Sequence, residues 1–269
     1  MAHITTPEAE ALLDKEIPVL NHGFVRLVDY MGSDARIVQS ARVSYGAGTK
    51  TLREDKGLIN YLLRHEHMSP FEQVVFTFHL KMPIFVARQL VRHRTARMNE
   101  ISGRYSVMNE EFYVPEPGKV RFQSKSNRQG ASGETVPPEM QQRVLDILKR
   151  SHGAAYESYQ KMIEADIARE LARVNLPLSL YTEMYWQMDL RNLLHFIRLR
   201  IDDHAQYEIR LYAEALSTAV RAVAPIVWEA FEEYVVRSVR LSATQAKKLG
   251  QVLAASHPEL AKELGLPGE

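Results

Sequence analysis

The chain has 269 residues, enough for one large domain or two modest ones at ~100–200 residues per domain, and long enough to bury a core without metal or disulfide staples. Its 34 Lys and Arg nearly balance 33 Asp and Glu, so the formal net charge of +1 gives no overall field to recruit nucleic acid or an anionic membrane. Cysteine is absent, which excludes a disulfide scaffold, a thiolate zinc site, an iron–sulfur cluster and a cysteine nucleophile.

Residues 1–16 read as a polar lead-in, with acidic residues and no apolar segment, unlike a signal or transit peptide. No window approaches the ~18 consecutive apolar residues of a membrane span, so no membrane partner and a cytoplasmic location are expected. A helix is expected over 33–44, with Ser33 or Asp34 as its N-cap. The following GAGTKT has Gly-Thr-Lys where a phosphate loop has Gly-Lys-Thr, so it does not read as an ATP site. A second helix, 54–65, ends in His65-Glu66-His67. Residues 72–82 alternate, with Val74, Phe76, Phe78, Leu80 and Met82 on one face and Val75, Thr77, His79 and Lys81 on the other, the pattern of a half-buried strand.

Pro83 suits the first turn of a helix running to about Arg94. A loop is expected over 95–105, then a short strand, EEFYV, stopped by Pro115. Residues 116–137, rich in Gly, Ser, Asn, Gln and Pro, read as a long surface loop. Helices come next at 138–164 and 166–174, then a strand at 179–187, and helices at 189–201, 204–222 and 226–238. A terminal amphipathic helix spans 242–264. Helix dominates beside a few antiparallel-looking strands, with no βαβ alternation and no G-x-G-x-x-G. The expected class is α+β, and a Rossmann fold is disfavoured. The expected division is a main domain over 1–240 and a helical extension over 241–269.

Chemistry concentrates near residue 90. On a helix over 84–94, Arg88, Gln89, Arg92 and His93 gather opposite Ile84, Leu90 and Val91. Such a cationic face is an anion site or a solvated charge run. The stretch 92–105, RHRTARMNEISGRY, favours the site. Arginine forks bind phosphates bidentately, Asn99 and Glu100 suit the polar edge of a base, and Gly103 permits close approach of backbone to a ligand. A nucleic-acid-binding module would need a broader basic stripe and a pI above the observed 8.0.

This segment resembles the signature of flavin-dependent thymidylate synthases: Arg92-His93-Arg94 with Ser102 downstream, and Asn99-Glu100-Ile101-Ser102-Gly103-Arg104-Tyr105 read together. Similarity extends to ARVSY at 41–45, HxxSPFE at His67–Glu72 and PIFVARQ at 83–89. It continues through LARxxLPLxLYT at 171–182, DLRNLLHFIRLR at 189–200 and HAQYEIR at 204–210, covering roughly residues 22–235. The resemblance implies a mixed helical and antiparallel-sheet domain in a homotetramer, with active sites at subunit junctions. It implies FAD as cofactor, NADPH as reductant, 5,10-methylenetetrahydrofolate as one-carbon donor and dUMP as acceptor, without a cysteine nucleophile.

Carried over by position, the resemblance implies that Arg92, His93, Arg94 and Glu100 contact the flavin, as should Ser69, Asp189, Leu190, Arg191 and His195. By the same resemblance, Gln89, Leu90, Val91, Arg92, Glu100, Ile101, Ser102, Gly103, Arg104 and Arg173 are expected to line the dUMP site. His67 and Ser44 are further candidates for flavin or folate contact. Some relatives carry Asn where this chain has Asp189 and His195. Ser102 is expected to hydrogen-bond rather than attack, because no G-x-S-x-G elbow surrounds it. No further ligands at zinc spacing accompany His65 and His67, so no metal site is expected. On a helix over 189–201, Arg200 falls between Leu193 and Phe196 at the apolar edge, where a guanidinium is costly unless paired. A structural salt bridge is one account. The resemblance implies another, that Arg200 is the catalytic arginine that stabilises negative charge on the uracil as N3 ionises.

Overall fold

The computed structural model describes residues 4–43, 52–125 and 130–266, with only the main chain described at 52–54. Two compact units result, Met1–Phe231 and Glu232–Glu269. The boundary lies before the division after residue 240 expected from the sequence.

The first unit is built on a five-stranded antiparallel sheet whose strands lie in the order β1 (Glu16–Val19), β2 (Gly23–Met31), β3 (Val75–Pro83), β7 (Tyr181–Asp189) and β4 (Arg97–Glu100). A short helix α1 (Pro7–Glu10) precedes β1 (Glu16–Val19) and β2 (Gly23–Met31), so the lead-in is not structureless and the sheet begins where no strand was expected. Helix α2 (Asp34–Arg42) starts at the expected cap, where the Ser33 hydroxyl accepts from the Ala35 N–H at 3.3 Å. Ser44 and the GAGTKT loop lie outside the described residues. Helix α3 (Leu52–Arg64) leads to a 3-10 turn, Ser69–Gln73, and then β3 (Val75–Pro83). The faces of β3 fall as the alternation dictates: Val74, Phe76, Phe78, Leu80 and Met82 are fully buried.

Helix α4 (Ile84–Leu90) is shorter than expected, and β4 (Arg97–Glu100) forms where a loop was expected. EEFYV is not a strand; it makes a single bridge, Phe112 to Leu180. The segment 116–137 is not a plain loop but a hairpin, β5 (Arg121–Gln123) with β6 (Ala131–Thr135). Both strands are mostly exposed, so no buried face imposes an alternating pattern on the sequence. Helix α5 (Pro138–Glu164) runs as expected. The segment expected as one helix at 166–174 is the short α6 (Arg169–Ala172) with a 3-10 turn, Arg173–Asn175.

Strand β7 (Tyr181–Asp189) pairs with β3 from Val75↔Asp189 to Pro83↔Tyr181 and leads into α7 (Leu190–Arg200) and α8 (Tyr207–Val223). Leu193, Phe196 and Ile197 of α7 and Ile209, Tyr212 and Leu216 of α8 are fully buried, as are the sheet residues Phe78, Leu80 and Trp186. The Trp186 and Phe196 rings meet edge-on at 5.6 Å. The other sheet face carries a polar chain: Arg26 bonds His79, His79 bonds Glu183 at 3.0 Å, and Lys81 bridges Glu183 at 3.5 Å and Glu111 at 2.8 Å. Helix α9 (Pro225–Phe231) ends the unit.

In the second unit, a π-helical turn, Glu232–Val236, replaces the expected end of the 226–238 helix. The terminal helix is two, α10 (Ala243–Ser256) and α11 (Pro258–Glu263), because Pro258 cannot continue α10. Among the described residues no helix is long and apolar enough to cross a membrane, and no His/Cys/Asp/Glu group could hold a metal ion.

Asp34 ties two distant segments together. Its carboxylate accepts the Ile226 and Val227 N–H groups at 3.0 Å each, capping α9 from α2. Burial outweighs these two donors and raises its pKa to about 6. A folded-state pKa above the unfolded value contributes stability that is complete at low pH and lost as pH rises through about 6. The parent should therefore gain stability relative to Asp34→Asn at about pH 4 compared with about pH 7, measured by urea unfolding of both proteins. A difference that is constant with pH, or grows as pH rises, contradicts the assignment.

Candidate functional site

Helix α4 ends before the arginine-rich triplet. Val91 N–H still reaches Ala87 O at 2.9 Å, but Arg92 N–H turns to Gln89 O at 3.4 Å and His93 N–H to Leu90 O at 3.0 Å. The tightening to a 3-10 turn carries Arg92, His93 and Arg94 off the helix. Arg88, Gln89, Arg92 and His93 therefore do not share the single helical face expected from the sequence.

Helix α7 supplies the opposing wall. Asp189 caps it, accepting from the Asn192 N–H at 3.0 Å and from the Asn192 side-chain amide at 2.7 Å. Burial of Leu190, Leu193, Leu194, Phe196 and Ile197 fixes its rotation, and Arg200 then meets the triplet. Its Nε–H donates to His93 Nε2 at 3.2 Å. The His93 ring lies edge-on to Phe196 at 4.7 Å and 6.3 Å from the His195 ring.

Burial, and then the charges of Arg200 and His195, push the His93 pKa down to about 4. At neutral pH the imidazole is uncharged, so Nε2 is the acceptor that Arg200 requires and Nδ1 carries the proton. Burial also lowers the Arg200 pKa, though a guanidinium stays charged near neutrality. Among the described residues no carboxylate pairs with Arg200, nor with Arg88, Arg92, Arg94 or Arg97. The salt-bridge account of Arg200 therefore has no partner there. A half-buried cation oriented by a neutral imidazole, beside exposed arginines that lack acids, is suited to anionic groups on a ligand.

The residues after the triplet line the sheet edge. Strand β4 pairs with β7 from Arg97↔Gln187 to Glu100↔Met184, and Ile101 N–H extends the pairing to Glu183 O at 2.9 Å. Glu100 accepts from the Thr182 hydroxyl at 2.6 Å. The Ser102 hydroxyl accepts from Arg104 N–H at 3.3 Å, and among the described residues no base is hydrogen-bonded to it. Gly103 is buried, and a Cβ there would stand 3.1 Å from both Arg173 Cδ and Met108 Sδ. A side chain at this position would make Arg173 and Met108 give way by a few tenths of an ångström, so glycine is what lets them pack this closely against the turn. Arg104 pairs with Glu170 at 3.1 Å on the surface.

The structure thus brings His93, His195 and Arg200 together, and Gly103 with Arg173. Gln89 donates to Gln206 at 2.5 Å. Ser69 begins the 3-10 turn whose Glu72 holds Arg191 in an ion pair. His67 lies in an exposed cluster with Tyr61 and His65. The side chains of Leu90 and Leu190 are closed inside the core, so any ligand contact there falls to the main chain; Val91 is half-buried and Ile101 exposed. Sequence reasoning gave no role to Thr182, Phe196 or Gln206. The HAQYEIR segment held the signal for Gln206. Phe196 was hidden because it reads as one more apolar residue of α7.

Comparison with known proteins agrees with this geometry. The family model described as Thymidylate synthase complementing protein matches residues 26–226. A flavin-dependent thymidylate synthase of Treponema denticola is 55% identical over 257 residues, 96% of this chain and 94% of the relative. One from Rickettsia conorii is 52% identical over 251 residues, 89% of this chain and 85% of its own. Among solved structures, the UMP/dUMP methylase PolB from Streptomyces cacaoi bound with 5-Br dUMP superposes with a TM-score of 0.74 at 36% identity, covering 81% of this chain and 98% of that one. Its complex with 5-Br UMP gives 0.72 at 35% identity, covering 83% and 99%. A signature spread over β4, α4 and α7, an antiparallel sheet that carries it and relatives that match nearly end to end lead to one conclusion: the chain belongs to the flavin-dependent thymidylate synthase family.

Proposed function

We propose that the protein catalyses reductive methylation of dUMP to dTMP, with FAD as cofactor, 5,10-methylenetetrahydrofolate as one-carbon donor and NADPH as reductant. The observation that carries this reading is the Arg200–His93 contact, set among arginines that lack carboxylate partners among the described residues. The residues present suit FAD. Arg92 and Arg94 have the charge and fork geometry for its pyrophosphate, and neutral His93 and His195 offer flat, uncharged surfaces beside it. Main chain at Leu190 and the side chains of Ser69, Glu100, Asp189 and Arg191 complete the proposed flavin set. When bound, FAD supplies hydride transfer.

The chain's own residues bind, orient and stabilise charge. Gln89, Arg92, Arg104 and Arg173 suit the nucleotide phosphate and ribose, with Leu90, Val91 and Ile101 as neighbours. Glu100, Ser102 and Gly103 suit the polar edge of the base. His93 holds Arg200 through Nε, which leaves the Nη groups of the guanidinium available to a substrate, and an always-charged donor there would stabilise negative charge that develops on the uracil ring. No cysteine is present to attack the ring, so the ring must be activated without a thiolate.

A homotetramer in the cytoplasm, with the 1–240 region as catalytic domain and 241–269 as an appendage, completes the proposal. The polar sheet face supports assembly, since Tyr185, stacked on His79 at 5.0 Å, is 48% exposed. The test is an anaerobic assay for dTMP from dUMP, methylenetetrahydrofolate and NADPH with purified protein, which should be yellow and release FAD on denaturation. A colourless protein that takes up no added FAD, or a flavin-loaded one that forms no dTMP, overturns the reading. Light scattering showing a fully active monomer overturns the assembly.

A further inference from the structure

A groove of about 680 Å³ lies between the β5–β6 hairpin and the N-terminal end of α8. Its acidic groups are already engaged. Asp203 holds Arg210 at 2.6 Å, and Glu208 accepts from the Tyr113 hydroxyl and from the Gln206 amide, both at 2.8 Å. Its remaining cations are not. Among the described residues neither Lys119 nor Arg121 has a carboxylate partner, and Lys119 Nζ sits over the Tyr207 ring at 4.4 Å.

Two further features act with that excess of positive charge. The 17-residue helix α8 begins at Tyr207 with no side-chain cap from Gln206, and Tyr207 and Glu208 of its first turn line the groove, which places the positive end of the helix dipole at that wall. The Phe122 ring, 42% exposed, lines the same space and offers an aromatic face for stacking. The groove also adjoins the candidate site. Gln206, on its wall, receives the Gln89 amide from the last turn of α4, just ahead of Arg92.

We propose that this groove binds the charged end of a co-substrate: an aromatic ring carrying two or more oxyanions, with Lys119 and Arg121 on the anions and Phe122 against the ring. The inference rests on the reading that the protein uses a phosphorylated nicotinamide dinucleotide and a folate. Either can supply this chemistry, the first through its adenosine 2′-phosphate and pyrophosphate, the second through its aminobenzoyl ring and glutamate carboxylates.

Calorimetric titration of the flavin-loaded protein with NADP+ against NAD+, and with a folate triglutamate against its monoglutamate, separates the two. In one pair the more anionic ligand should bind at least about tenfold more tightly, and Lys119→Met with Arg121→Gln should remove that preference. Loss in the first pair identifies the dinucleotide; loss in the second identifies the folate tail. Lys119→Met alone keeps the stem on Tyr207 and removes only the charge, so it should shift the same pair in the same direction even if the double variant folds poorly. A parent with no preference in either pair, or a folded variant that keeps it, overturns the inference. Assaying dTMP formation on the same samples separates the two failures. A parent that makes dTMP without the preference refutes the groove alone; one that shows the preference but makes no dTMP refutes the reaction alone.

Discussion

Replacing Arg200 by alanine should leave a folded, yellow protein that has lost most of its dTMP formation. The side chain contributes one hydrogen bond to its neighbours, from Nε–H to His93, and no ion pair among the described residues, so its removal uncovers no buried carboxylate. On the proposed reaction, what disappears is a charged donor for the anion that forms on the uracil. Losing a charge-assisted hydrogen bond costs roughly 1.5–3 kcal/mol, about 10- to 100-fold in rate, and more where charge develops in the transition state. Lysine at this position should restore only part of the activity, because an ammonium has neither the planar fork nor an Nε–H for His93. Turnover by Arg200→Ala at the parental rate with saturating dUMP would remove Arg200 from the reaction. Absorbance of the bound flavin and the melting temperature, both expected close to the parent's, show that the comparison is between folded enzymes.

Gly23→Ala should be the most destabilising single methyl in the described chain. Gly23 is buried at the start of β2, opposite the turn of α8 that carries Tyr212. A Cβ there would lie 2.7 Å from the main-chain oxygens of both Lys81 and Val19, and closer still to the Tyr212 hydroxyl. Those carbonyls belong to β3 and β1, whose pairing with β2 prevents retreat. The methyl must also displace the Tyr212 hydroxyl, which donates to Lys81 O at 2.6 Å. Overpacking costs about 1–3 kcal/mol, and a buried hydroxyl left without a partner costs about as much again. Thermal unfolding should therefore fall by roughly 10 °C, at about 2–4 °C per kcal/mol for a domain of this size. The double variant with Tyr212→Phe should recover part of the loss, because the displaced hydroxyl is gone. A melting temperature within about 2 °C of the parent would show that the strands can move apart.

These two positions differ in how far the sequence exposes them. Arg200 is conspicuous as a cation at the edge of an apolar helical face, and its cost when buried is an argument from residue type alone. Gly23 carries no such mark, since what excludes a methyl there is a crowd of atoms from β1, β3 and α8. The period-2 pattern of β3 is legible because one face is buried and the other is not. The same pattern runs through Val25 and Leu27 in β2, where no strand was expected. The β5–β6 hairpin has nothing to read, because strands exposed on both faces carry no hydrophobic period. The spacing of the triplet allows a helix; the backbone instead tightens after Leu90, a choice that side-chain spacing does not report.

Taken by itself, the sequence determined that thiolate chemistry is absent, that a cationic cluster stands against a neutral background, and that α5, β3, α7 and α8 exist, since each of these comes from composition or from a strong period. It also held the family signature, as a string of residue types. Tertiary structure alone decided which of those residues meet. Arg200 and His93 lie 107 positions apart and touch only because burial of one face of α7 fixes its rotation against the end of α4. Asp34 caps a helix 192 positions away by the same kind of packing. Periodicity reports which face of an element is buried, a local property. Contact between the ends of different elements depends on crossing angles and helix termination, which are set by the whole packed core and leave no mark in the spacing of residues along the chain.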